Sequence, residues 1–91
     1  NLLTEIRAAY PQAHIFATAG PIMFADVWWY VETAVARANQ QLNDDRIYYV
    51  PIENNLELSE VDYGCDYHPN VNGHQKMADQ LIPAIAEIMG W

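Results

Sequence analysis

The run Val61-Asp62-Tyr63-Gly64-Cys65-Asp66-Tyr67-His68-Pro69-Asn70 gathers an imidazole, two carboxylates and a thiol in one short polar segment. His68 has the chemistry of a general base: one ring nitrogen can take a proton from a nucleophile while the other donates its N–H to an orienting acceptor. Asp66, two residues earlier, is the candidate orienter, and Pro69 stiffens the chain behind the ring. The same residues with His74 also offer metal-ligand chemistry, but their spacing fits none of the regular zinc patterns, and His74 reads as a helix-terminus residue. A loop histidine beside a carboxylate is more often structural than catalytic, so these residues by themselves leave the readings open.

Catalysis by an activated nucleophile also needs the nucleophile. The only serine is Ser59, in Leu56-Glu57-Leu58-Ser59-Glu60. No glycine permits a tight turn there, and the two acids oppose a developing alkoxide, so Ser59 reads as a solvated loop serine.

The elements that position this segment follow from periodicity and breakers. Leu2, Leu3, Ile6 and Ala9 or Tyr10 recur at helical spacing up to Pro11, which gives a helix beginning at or before Asn1. His14-Ile15-Phe16-Ala17-Thr18, bounded by Pro11 and Gly20-Pro21, reads as a buried strand with His14 a structural residue inside it. Gly20 to Trp29 carries large side chains (Met23, Phe24, Trp28, Trp29) without clean periodicity and leads into a helix with the stripe Val31, Ala34/Val35, Ala38 and Leu42. Asn43-Asp44-Asp45 ends it, and Arg46 to Ile52 has the β-branched and aromatic content of a second strand. Glu53 to Asn70 is the polar loop. A last helix follows, with Asn72 and Gln75 resembling a capping box, an apolar face of Ala78, Leu81, Ile82, Ile85 and Ile88 or Met89, and Pro83 as a source of bending. The alternation predicts an α/β fold with a parallel sheet, whose remaining strands lie N-terminal to Asn1.

Composition narrows the partners. Twelve acidic residues against four basic ones give a net charge of −8, which repels phosphate backbones and anionic lipid, so nucleic acid is not an expected partner. No apolar stretch approaches the roughly 20 residues that cross a bilayer, and no membrane association is expected. The single Cys65 has no partner thiol within the chain. With 91 residues and no initial Met, the chain reads as one small domain or a piece of one.

Gly64-Cys65-Asp66-Tyr67-His68-Pro69, followed by Gly73-His74-Gln75-Lys76-Met77-Ala78, resembles the last block of the SGNH (GDSL-like) hydrolases, and most closely its form in carbohydrate esterase family 2. The upstream residues Asn1-Leu2-Leu3, Ile6-Arg7, Tyr10-Pro11, Ile15 and Gly20-Pro21 are similar to the helix, strand and loop that precede that block. The resemblance implies that residues 1–91 are the C-terminal portion of a single SGNH catalytic domain of flavodoxin-like three-layer α/β/α fold. It implies a secreted serine esterase that removes acetyl groups from plant polysaccharides and needs no cofactor. In that scheme His68 is the catalytic base and Asp66 its orienter. The usual acid position, three residues before the histidine, is held here by Cys65, and in some relatives of this type a backbone carbonyl orients the ring instead. The Gly-Asp-Ser nucleophile block and the oxyanion-hole blocks are absent from this sequence, so the N-terminal part of the enzyme is the expected partner, together with an acetylated carbohydrate substrate. Tyr67, beside His68, is the candidate sugar platform, a place where related enzymes tend to carry an aromatic. Trp28, Trp29 and Tyr30 also offer flat rings for a sugar, set against packing of the helix onto the sheet; adjacent helix residues point in different directions, so all three cannot do one job, and at least two are expected in the core. The competing reading is a non-catalytic carbohydrate-binding or interaction module that kept the fold and lost the nucleophile.

Overall fold

The computed structural model describes residues 1–21, 25–52 and 58–91. Within it the chain forms two compact units, Asn1–Ala19 with Met23–Pro51, and Gly20–Ile22 with Ile52–Trp91. Met23, Phe24 and the loop stretch 53–57, where sequence-based expectations were also placed, lie outside the described residues.

The first unit is α-β-α-β. Helix α1, Leu2–Ala9, is opened by Asn1, whose side chain accepts from the backbone N–H groups of Leu3 and Thr4, while Thr4 reaches back in a capping box. Strand β1 is Ile15–Ala17 and strand β2 is Ile47–Tyr49; they pair in parallel with Ile15 opposite Ile47 and Ala17 opposite Tyr49. Both strands are shorter than their apolar runs. His14 falls just ahead of β1 rather than inside it, where its ring stacks on Tyr48 and its Nδ1 lies 3.1 Å from the Tyr48 hydroxyl. Parallel strands need a crossover, and helix α2, Ala25–Leu42, supplies it. It starts before the periodic stripe does. Val35 and Ala38 of that stripe are buried with Ile15 and Ile47, and Leu3, Ile6, Ala17 and Tyr49 pack around them. Ala38 is fully buried, which lets the helix backbone come close to the strands.

The aromatic cluster of α2 departs from its expected burial. Trp29 and Tyr30 are 59% and 63% exposed, so fewer than two of the three aromatics are core. Successive residues on a helix are turned by about 100°, and the buried stripe takes Val35 and Ala38 inward, leaving Trp29 and Tyr30 to pack edge-to-face on each other.

Polar groups close the ends of this unit. The Arg7 guanidinium pairs with Asp44 and donates to the carbonyls of Tyr10 and Ala13. Arg46 donates to the carbonyls of Pro11 and Gln12. The two arginines thereby tie the α1–β1 and α2–β2 connections together. The hydrogen bonds to Asp44, first from the Arg46 backbone and then from Arg7, hold its carboxyl below the usual value.

The second unit holds two 3-10 turns, Glu60–Asp62 and Cys65–Tyr67, and helix α3, Val71–Met89. The cap of α3 is Asn70 and not Asn72: Asn70 has extended backbone and its Oδ1 accepts from the N–H groups of Asn72 and Gly73. Pro83 lies inside α3, which runs on to a left-handed Gly90 cap. No described helix is long and apolar enough to cross a membrane.

Candidate active site

The segment that carries His68 is a closed loop. At its base the Asn70 N–H donates to the Asp62 carbonyl at 2.8 Å, and Tyr63 and Pro69 form an antiparallel bridge. One step further in, the Gly64 N–H donates to the His68 carbonyl at 2.7 Å, and the His68 N–H donates to the Cys65 carbonyl at 3.1 Å. Both backbone groups of His68 are therefore satisfied within the loop. The tip reverses direction through two consecutive left-handed residues, Asp66 at φ 57° and Tyr67 at φ 58°. Left-handed non-glycine residues are uncommon and cost of order 1–3 kcal/mol each unless their surroundings impose them. Here the hydrogen bonds on either side impose them, and the turn brings the chain back to present His68 at the loop's exit.

His68, Asp66, Tyr67 and Cys65 are all exposed. Among the described residues no hydrogen bond or ion pair joins Asp66 to His68, so the loop brings the two together in sequence and backbone but not through their side chains. Tyr67 is 80% exposed and packs edge-to-face on Tyr63, with ring centroids 6.1 Å apart. These rings, Gly64, Glu60 and Asp66 line a shallow depression of about 260 Å³. His74 lies exposed in the first turn of α3. Among the described residues no group of three or more His, Cys, Asp or Glu side chains is placed to hold a metal ion.

The residue that sequence reasoning missed is Asp62. It is buried, and one oxygen of its carboxylate accepts from Lys76 Nζ at 2.7 Å, the Ser59 N–H at 2.8 Å and the Ser59 hydroxyl at 3.0 Å. Ser59 is an exposed loop serine, as its sequence context predicts, and it also hydrogen-bonds this buried acid. The Lys76 hydrogen bond, then the Ser59 backbone, lowers the Asp62 pKa against the opposing cost of burial. Gly73 is the other unmarked position: a Cβ there would lie 2.7 Å from the Asp62 carbonyl oxygen and 2.8 Å from Pro69 Cβ, so only glycine lets α3 pack this closely on the loop. Pairs such as Asp62 with Lys76 have no local spacing rule, and nothing in the sequence sets Asp62 apart from its acidic neighbours Glu60 and Asp66.

In sequence and in fold, this chain is similar to esterases that act on carbohydrates. No family model matches the chain. It is 33% identical over its whole length to the cellulase/esterase CelE of Acetivibrio thermocellus, and 29% identical over 90% of its length to an acetylxylan esterase / glucomannan deacetylase of Cellvibrio japonicus. It spans 11% and 22% of those two proteins. Among solved structures, an active-site mutant of a family two carbohydrate esterase from Clostridium thermocellum superposes over the entire chain with a TM-score of 0.82 at 33% identity. A family two carbohydrate esterase from the same organism in complex with cellohexaose gives 0.78. The chain covers 28% of each. Sequence and structure agree on the relation: the sequence relatives are named as esterases, the structural neighbours are carbohydrate esterases of family two, and the parallel α/β architecture of this chain matches the corresponding part of their fold.

Proposed function

We propose that this chain supplies the catalytic histidine, His68, of a serine esterase that removes acetyl groups from plant polysaccharide esters outside the cell. The observation that carries the reading is an exposed imidazole on a backbone-locked loop, in a chain related over its whole length to carbohydrate esterases. The nucleophilic serine comes from the N-terminal part of the enzyme. As its oxygen attacks the acetyl carbonyl, His68 takes the hydroxyl proton. It then returns that proton to the sugar oxygen as the ester C–O bond breaks and acetyl-serine forms. Water, deprotonated by the same ring, attacks the acetyl-serine; acetate is released as the acyl C–O bond breaks and the ring returns that proton to the serine oxygen. No cofactor enters this scheme.

A fixed backbone at His68 limits where the ring can point, which is the requirement for a base that must meet a serine at hydrogen-bond distance. Asp66 orients the imidazole where its side chain turns toward the ring; otherwise a backbone carbonyl has that task. Tyr67 offers an exposed flat ring with a polar rim, suited to the apolar face of a sugar. That a neighbouring structure holds cellohexaose supports a carbohydrate ligand.

The test is His68→Ala in the protein that carries the chain, assayed for acetate release from acetylated xylan and glucomannan after folding has been verified by circular dichroism. The expected loss in kcat is about three powers of ten or more, since a catalytic histidine and its serine act as a unit. Retention of more than a tenth of the activity defeats the assignment. Binding of polysaccharide without turnover by the parent protein supports the non-catalytic module instead.

A further inference from the structure

We infer that Asp62 is a positioning residue for His68, acting through the loop and not by contact with the ring. The inference rests on the reading of His68 as the base. The loop leaves and rejoins the rest of its unit between Asp62 and Asn70, and Asp62 holds that junction with both its backbone and its side chain. Its carbonyl receives the Asn70 N–H, and its N–H donates to the Ser59 carbonyl at 2.9 Å. Its carboxylate, 2% exposed, gathers Ser59 from one side of the turn and Lys76 from the second turn of α3 on the other.

The remaining contacts continue this arrangement. Asn70 caps α3 with its Oδ1 and donates from Nδ2 to the carbonyls of Val61 and Tyr63, the residues flanking Asp62. Gly73 brings the helix against the Asp62 carbonyl. The base of the loop is thus fixed to the helix that follows it, and two residues in from that base stands His68, its own N–H and carbonyl held by Cys65 and Gly64. A buried carboxylate with three donors on one oxygen sets a position sharply, because each donor constrains the same atom. Loosening Asp62 lets the Asp62–Asn70 base shift, and the imidazole moves with it.

Displacement of a catalytic group by about 1 Å can cost roughly a hundredfold in rate. Asp62→Asn keeps the shape and most of the hydrogen bonds but removes the charge that holds Lys76. In the complete protein it is expected to lower kcat on an acetylated polysaccharide by about ten- to a hundredfold per folded molecule, with KM within about twofold. Lys76→Met should move kcat in the same direction, and Lys76→Arg, which keeps a cation facing Asp62, should restore it. A purely structural role would lower the amount of folded protein and leave kcat per folded molecule, corrected by circular dichroism, at the parent value. That result for Asp62→Asn, with His68→Ala inactive, overturns the inference while the esterase reading stands. An active His68→Ala overturns the esterase reading itself. If Asp62→Asn does not fold, Lys76→Met decides: folded with the parent kcat, it overturns the inference; folded with reduced kcat that Lys76→Arg restores, it supports it.

Discussion

The two units of this chain are held by opposite means. The α-β-α-β unit is organised around aliphatic side chains in register, Ile15 opposite Ile47 with Val35 and Ala38 above them. The unit that carries His68 also buries Ile52, but its loop is held by a buried carboxylate, a helix cap and a glycine contact. Hydrophobic burial is non-directional and tolerates small shifts, whereas hydrogen bonds to a buried charge weaken steeply when geometry changes. A scaffold needs the first property and a loop that must aim an imidazole needs the second.

The comparison is broken most strongly in the first unit by Ile47→Ala. Ile47 is 2% exposed and packed on Val35 and Ala38, and emptying such a site typically costs about 2–5 kcal/mol. The expected outcome is a lowered denaturation midpoint and faster amide exchange in β1, β2 and α2, with kcat per folded molecule close to the parent's. A kcat that falls in proportion to stability would show that the aliphatic core also aims the histidine.

Gly73→Ala tests the other side. The added methyl meets a backbone oxygen and Pro69 Cβ, neither at the end of a flexible side chain, so helix and loop must separate. Overpacking of this sort costs about 1–3 kcal/mol, less than Ile47→Ala, yet the expected fall in kcat is the larger of the two. Measured side by side, the pair dissociates stability from activity; equal kcat losses would merge the two roles.

The sequence made the element order readable because its punctuation is strong. Pro11, Gly20-Pro21, Asn43-Asp44-Asp45 and Pro51 fall where one element must stop, and the stripe through Val35 and Ala38 marks the buried face of α2. The polar unit was less legible. Asn70 and Asn72 are both good cap residues, and only the extended backbone at Asn70 decides between them. The pairing of Asp62 with Lys76 depends on a loop path that no periodicity encodes. Trp29 and Tyr30 show the converse error, in which residue type was taken for burial although a neighbouring stripe already filled the core.

Asn70→Ala should have a smaller effect on stability. Losing a cap costs about 0.5–2 kcal/mol, and the two Nδ2 hydrogen bonds to Val61 and Tyr63 are lost with it. Amide exchange should rise at Asn72 and Gly73 and across the loop, while the first unit keeps its protection. Unchanged protection at Gly73 would show that the loop holds without the cap.

The smallest effect at neutral pH is one that emerges only in acid, and it tests whether the two units share any feature. Among the described residues each contains one carboxyl held below its ordinary value of 3.8: Asp44 by the Arg46 backbone N–H and then Arg7, Asp62 by Lys76 and then Ser59. A folded-state pKa below the unfolded one means that the unfolded chain binds the proton first. The stabilisation is therefore fully present above pH 3.8 and is lost as the pH falls through the depressed value. The sign is the same for both, but the consequences differ. Protonating Asp44 weakens a tie between connections while the aliphatic core of its unit remains, so β1 and β2 should keep most of their protection in acid. Protonating Asp62 removes the charge that holds Lys76 and weakens the acceptor on which Lys76 and Ser59 converge, so the loop around His68 should open first. Segment-resolved amide exchange, corrected for intrinsic rates and followed from about pH 5 to about pH 2, should show the residues around Asp62 losing protection at higher pH than β1 and β2. Asp62→Asn should flatten that acid limb for the loop, and Asp44→Asn should leave it in place. Simultaneous loss of protection in both units, unaffected by either substitution, would mean that neither carboxylate governs the acid response and that the contrast between an apolar scaffold and a charge-held loop does not extend to their titration.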